Sequence, residues 1–217
     1  MTEFRAISGL VLLLLLATIA YDLKSLLKTW DAVYTFLIDQ ARLVVNSWRG
    51  INETKAGKIL LLLRSMVYSL TALLFLLLAM TGFLPILFLG KHLTGIMLVL
   101  HVTIAPLFAL SLASLALLWA HRLRFDAADW RFLTGNRQPR SRNKDSLVRF
   151  ALKTGFWLVL VFSLPLMLTV ILELFPLFGT EGEEFLIRSH GYSALLLTLV
   201  ALIDIYLTIA YTKHSNV

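Results

Sequence analysis

The chain has 217 residues, 59% of them hydrophobic and 15% charged, with a mean hydropathy of +0.81. Soluble domains carry about 25% charged residues, so this composition describes an integral membrane protein and excludes a soluble globular one. The net charge of +7 sits in loops beside hydrophobic spans, which fits membrane flanks rather than nucleic acid, and the lack of cysteine excludes disulfides, thiol nucleophiles, iron–sulfur ligation by this chain and covalent haem attachment.

A membrane-spanning helix needs about 20 apolar residues. In chain order the first hydrophobic segment runs from Ile7 to Tyr21 and the second from Ile59 to Leu89, interrupted by Gly82 and Pro85. The third covers Leu93 to Ala120, the fourth Leu147 to Phe175 and the fifth Phe185 to Tyr211. The expected fold class is all-α, an integral membrane bundle of five transmembrane helices. The first segment is read as a retained helix, because cleaving it as a signal peptide would put the arginine-rich loop outside. Between Asp22 and Trp48, apolar residues recur at helical spacing with charges interleaved. That pattern predicts an amphipathic helix that lies on the membrane surface, with Trp30 and Trp48 as anchors, or packs on a partner subunit.

Lysine and arginine in short loops set the orientation. The segment from His121 to Arg149 holds Arg122, Arg124, Arg131, Arg137, Arg140, Arg142, Lys144 and Arg149 against Asp126, Asp129 and Asp145, and is expected in the cytoplasm. The connection after Phe175 carries Glu181, Glu183 and Glu184 and is expected outside, as is the one around Gly90. The amino terminus then lies outside and the carboxyl terminus, with Lys213 and His214, inside. This is the topology of a multi-pass protein of the bacterial inner membrane.

Two histidines fall within the hydrophobic spans, His101 in the third and His190 in the fifth. An ionisable side chain in lipid is costly and tends to face a bundle interior or a cavity. Imidazoles from two helices are what a buried b-type haem takes as axial ligands. Both lie in the outer half of the membrane by helical rise from the outer connections, which permits one bis-histidine haem there, with Gly95 and Gly191 leaving room for the porphyrin. The alternative for His101 is a histidine hydrogen-bonded between helices. His92, close to the outer boundary, is a weaker ligand candidate, and a nine-residue step would turn it to the face opposite His101. His121 and His214 are expected to be solvated. A capping box from Thr180 to Glu183 is the expected start of the fifth helix.

Further motifs carry a resemblance. Arg64-Ser-Met-Val67-Tyr68 opens the second span, which ends in Thr81-Gly82; Lys153-Thr-Gly-Phe-Trp157 opens the fourth; His190 and Asp204, fourteen residues apart, precede Tyr206-Leu207 in the fifth. From Arg64 onward the chain resembles the four-helix di-haem cytochrome b subunits that anchor formate dehydrogenases and nickel–iron hydrogenases. The resemblance implies a division into residues 1–57, the first helix with the amphipathic segment, and residues 58–217, a cytochrome b-like domain. In the family a histidine of the first helix and the second histidine of the last helix hold the inner haem. Here those positions carry Val67 or Tyr68 and Asp204, while His101 and His190 match the ligands of the outer haem. The resemblance therefore implies a single haem b on the outer side. Its implied partners are lipid, the redox subunits of a hetero-oligomeric complex and a quinone.

Asp204 returns to within about 40° of His190 on the helical wheel, so both face one interior. Arg64 and Lys153 lie at a similar depth, and an acid in hydrocarbon is expected to pair with a cation. Asp204 with Arg64 or Lys153 is thus expected to fill the place of the missing haem, as a structural pair or as a quinone or proton site. The competing expectation is a haem-free membrane scaffold of a respiratory or photosynthetic complex. Transporters are disfavoured by the missing internal repeat, and hydrolases by the missing nucleophile and metal motifs.

Overall fold

The computed structural model describes residues 2–26, 55–133, 144–175 and 177–215. Its elements are α1 (Thr2–Leu26), α2 (Lys55–Leu84), a π-helical turn (Pro85–Leu89), α3 (Gly95–Trp119), the short α4 (Ala127–Leu133), α5 (Lys144–Glu173) and α6 (Gly179–Ser215). No strand occurs among the described residues. Five stretches are long and apolar enough to cross a membrane: Glu3–Asp22, Leu62–Leu89, Gly95–Trp119, Leu147–Glu173 and Gly179–Thr208. This is the all-α, five-span, multi-pass membrane architecture that the composition requires. Most of the amphipathic stretch expected between Asp22 and Trp48 lies outside the described residues.

The contacts divide the chain into two compact units, residues 1–120 and 121–217. In this grouping α1 falls with α2 and α3. In the first unit α2 and α3 pack along each other as a helix hairpin, and α1 touches the π-helical turn. Pro85 has no N–H to donate, and it is here that the α-helical ladder of α2 gives way to the wider π turn. Gly90 closes the turn in the left-handed conformation (φ 62°), its N–H reaching the Pro85 carbonyl. Arg5 ties α1 to the same turn by donating from Nε to the Leu87 carbonyl at 3.0 Å. A Cβ on Gly90 would come within 2.6 Å of the Arg5 Nη1, so both backbone angle and space favour glycine there.

The second unit is built on a more extensive hairpin of α5 and α6, with α4 tied to α5 by the Lys153–Asp129 ion pair. Buried side chains are few and include small hydroxyls: Thr71, Ser111, Ser163, Thr169 and Thr198 accompany Leu74, Phe108, Leu112, Leu195 and Leu197. Small residues let membrane helices approach closely where lipid supplies no hydrophobic drive. Their hydroxyl protons return to their own helices, as in Thr71 to the Val67 carbonyl (2.7 Å) and Thr198 to the Ala194 carbonyl (2.7 Å). That back-bonding satisfies a hydroxyl for which hydrocarbon offers no partner. Outward leucines such as Leu110, Leu117 and Leu164 stay exposed, as lipid-facing residues do.

Candidate functional site

His101 and His190 belong to different units, and each is held by the helix preceding its own. His101 lies on α3, six residues after Gly95, and its Nδ1 is 2.8 Å from the Thr81 hydroxyl on α2. Gly82, the next residue, lies against the same ring: a Cβ there would sit 3.4 Å from the imidazole Cε1. The Thr81-Gly82 pair thus forms the seat of His101. In the second unit, Nδ1 of His190 on α6 lies 3.2 Å from the Leu166 carbonyl and 3.3 Å from the Thr169 hydroxyl on α5. Both imidazoles are half-buried and both sit toward the turn end of their hairpin.

A carbonyl only accepts, so His190 donates its Nδ1–H to Leu166 and carries its basic lone pair on Nε2. A ligating histidine commonly shows this arrangement, with the distal N–H anchored and the other nitrogen basic. The donor set therefore fits axial ligation by imidazole. It fits equally the hydrogen-bonded structural histidine expected as the alternative.

The other histidines separate cleanly. The chain from residue 90 to 94 is not helical, so His92 is an exposed residue of the connection and the opposite-face argument does not apply to it. His121 is exposed in the turn after α3, as expected. The side chain of His214 lies outside the described residues. Gly95 opens α3 at φ 61°, a backbone role in the turn. The expected capping box at Thr180 is not formed, because α6 is already under way at Gly179.

Lys153 takes a different partner from the one expected. Its ammonium donates to Asp129 at 2.6 Å and to Asp126 at 3.0 Å, both in the segment between α3 and α5, and not to Asp204. One turn further along α5, Trp157 donates from Nε1 to the Leu123 carbonyl at 2.9 Å. The Lys-x-x-x-Trp motif thus places two donors on one face of α5 and fastens residues 123–129 to it. Asp126 and Asp129 also cap α4 reciprocally. Asp126 accepts from the Ala128 (2.8 Å) and Asp129 (3.0 Å) N–H groups, while its own N–H donates to the Asp129 carboxylate at 2.8 Å. The Asp129 N–H, then the Lys153 ammonium, hold the Asp126 carboxyl down at about 2.

Arg64 donates from Nε to the Leu118 carbonyl at 3.2 Å, joining α2 to the end of α3. Asp204, on α6, is half-buried with its carboxylate set against α5 at Gly155, in the place a Cβ would occupy. No described cation of its own unit pairs with it. Thr81, Thr169, Asp126, Asp129 and Gly155 are the residues that sequence reasoning left without a role. Only the Asp126-x-x-Asp129 spacing offered a local signal for one.

No group of three or more His, Asp or Glu side chains placed to hold a metal ion occurs among the described residues. No protein-family model, curated protein or solved structure matches the chain. The likeness to cytochrome b subunits therefore rests on its motif residues alone.

Proposed function

We propose that this protein is a membrane-anchoring cytochrome b-type subunit with one b haem on the outer side, ligated by His101 and His190. It passes electrons between a redox partner complex and the quinone pool of a bacterial inner membrane, with its basic loops and carboxyl terminus in the cytoplasm. The observation that carries the reading is an imidazole within each of two membrane-spanning helices, His101 and His190, where an ionisable side chain is costly unless it serves a site. Their location supports it: each lies toward the turn end of its hairpin. The basic loop from His121 to Arg149 and the acidic outer connection support the orientation.

Haem bound there supplies reversible one-electron transfer, and the protein's contribution is ligation, burial and orientation. Thr81 and Gly82 hold the His101 ring; Leu166 and Thr169 hold that of His190. Lys153 and Trp157 keep the cytoplasmic segment against α5.

A second reading, a haem-free scaffold subunit, is favoured by one observation: each imidazole already has a hydrogen-bond partner in its own hairpin. Visible spectroscopy of the purified full-length chain separates the two. The haem reading expects a reduced b-type spectrum that is lost in both His101→Ala and His190→Ala. A spectrum that survives either substitution overturns this ligand assignment, and a wild-type chain that takes up no haem leaves the scaffold.

A further inference from the structure

Thr81 and Thr169 occupy matching places in the two hairpins. Each follows a leucine by three residues, in Leu78-Ala-Met-Thr81 and Leu166-Met-Leu-Thr169, and each precedes its histidine by 20 or 21 residues across a turn. A threonine hydroxyl has one proton. Thr81 can give it to its own helix, where the carbonyls of Leu77 (2.8 Å) and Leu78 (3.1 Å) lie in reach, and Thr169 can give it to Leu166 (2.9 Å). With that proton committed, the oxygen faces Nδ1 of the histidine as an acceptor. The 2.8 Å contact at His101 is then an Nδ1–H···O bond, the same polarity that the Leu166 carbonyl dictates at His190. Two hairpins without evident sequence repetition thus arrive at one arrangement: a back-bonded threonine accepting from Nδ1–H, with the basic nitrogen at Nε2.

We infer that Thr81 is the positioning residue that fixes the Nδ1-protonated tautomer of His101, as the Leu166 carbonyl beside Thr169 does for His190, and so presents Nε2 as the ligating nitrogen. This rests on the haem reading for its purpose, but not for its geometry. The two threonines carry unequal weight. Thr81 makes the shorter contact, whereas Thr169 shares His190 with a carbonyl that enforces the same tautomer unaided.

The test uses the full-length chain with ¹⁵N-labelled histidine, purified in detergent without haem, and reads each ring's tautomer from its nitrogen shifts. Both histidines are expected as Nδ1–H in the wild type. Thr81→Val should move His101 toward Nε2–H, Thr81→Ser should restore it, and Thr169→Val should leave His190 unchanged. Haem titration then reads the consequence. Thr81→Val is expected to weaken haem retention roughly 10- to 100-fold, the usual loss when an outer-shell partner of a metal ligand is removed, and Thr81→Ser to recover it. Nε2–H at His101 in the wild type, or an unchanged ring in Thr81→Val, overturns the inference. The stated tautomer pattern in a chain that takes no haem supports the threonine geometry and defeats the haem reading, so the two failures are distinct.

Discussion

Replacing Lys153 with methionine is expected to destabilise the folded chain by about 1–2 kcal/mol, between the values for exposed and for buried ion pairs. Asp129 is only 8% exposed, and its carboxylate has the ammonium at 2.6 Å. Methionine keeps the apolar stem and removes the charge, leaving that carboxylate with the Asp126 N–H. That residual bond, and the exposure of Asp126, keep the loss below the buried-pair range. The loss should appear as a lowered thermal transition in detergent. It should also release Trp157 from the Leu123 carbonyl, because both contacts fasten the same segment, and tryptophan emission reports that. The double substitution Lys153→Met with Asp129→Asn should recover much of the loss, since the stranded charge is gone. Equal destabilisation of the single and double variants would mean that the lysine acts elsewhere.

Gly155→Ala is expected to be the most damaging single-methyl change in the second unit. A Cβ at this position falls where the Asp204 carboxylate lies, so either the side chain leaves its place or α5 and α6 separate. Overpacking of this kind costs about 1–3 kcal/mol. The signature is coupling rather than size. In an Asp204→Ala background the three atoms nearest that methyl are gone, so Gly155→Ala should become neutral or mildly stabilising, as glycine in a helix interior costs roughly 1 kcal/mol relative to alanine. Thermal unfolding of the four proteins gives the interaction energy directly. Additive effects would show that the carboxylate does not occupy the glycine's notch.

The spans were legible because length and apolarity are properties of composition, read without knowing what packs on what. Their edges were less so. The fifth hydrophobic run starts at Phe185 while α6 begins at Gly179, one residue before the Thr180 start that the polar pattern predicts, because the Thr180 to Glu184 stretch is helical while contributing nothing to hydropathy. Of the two cations expected near Asp204, Arg64 or Lys153, the lysine pairs elsewhere for a physical reason. Matching depths along helices paired it with Asp204, but a lysine's four-carbon stem lets its charge travel toward the polar boundary, where Asp126 and Asp129 wait. In the sequence these acids register only as charges in a basic loop. Both central histidines stood out from sequence, since few residue types are so costly in lipid. Their threonines did not, because a partner 20 residues away across a turn is set by the hairpin's register and not by local pattern. Gly155 was hidden likewise: what distinguishes it is a carboxylate on the neighbouring helix.

The most direct measurement is the molar ratio of haem to protein in the purified full-length chain, by pyridine haemochrome against amino-acid analysis. One bis-histidine haem on His101 and His190 requires a ratio near one. A ratio near two would contradict the loss of the inner site implied by Val67, Tyr68 and Asp204, and a ratio near zero would contradict the cytochrome reading itself.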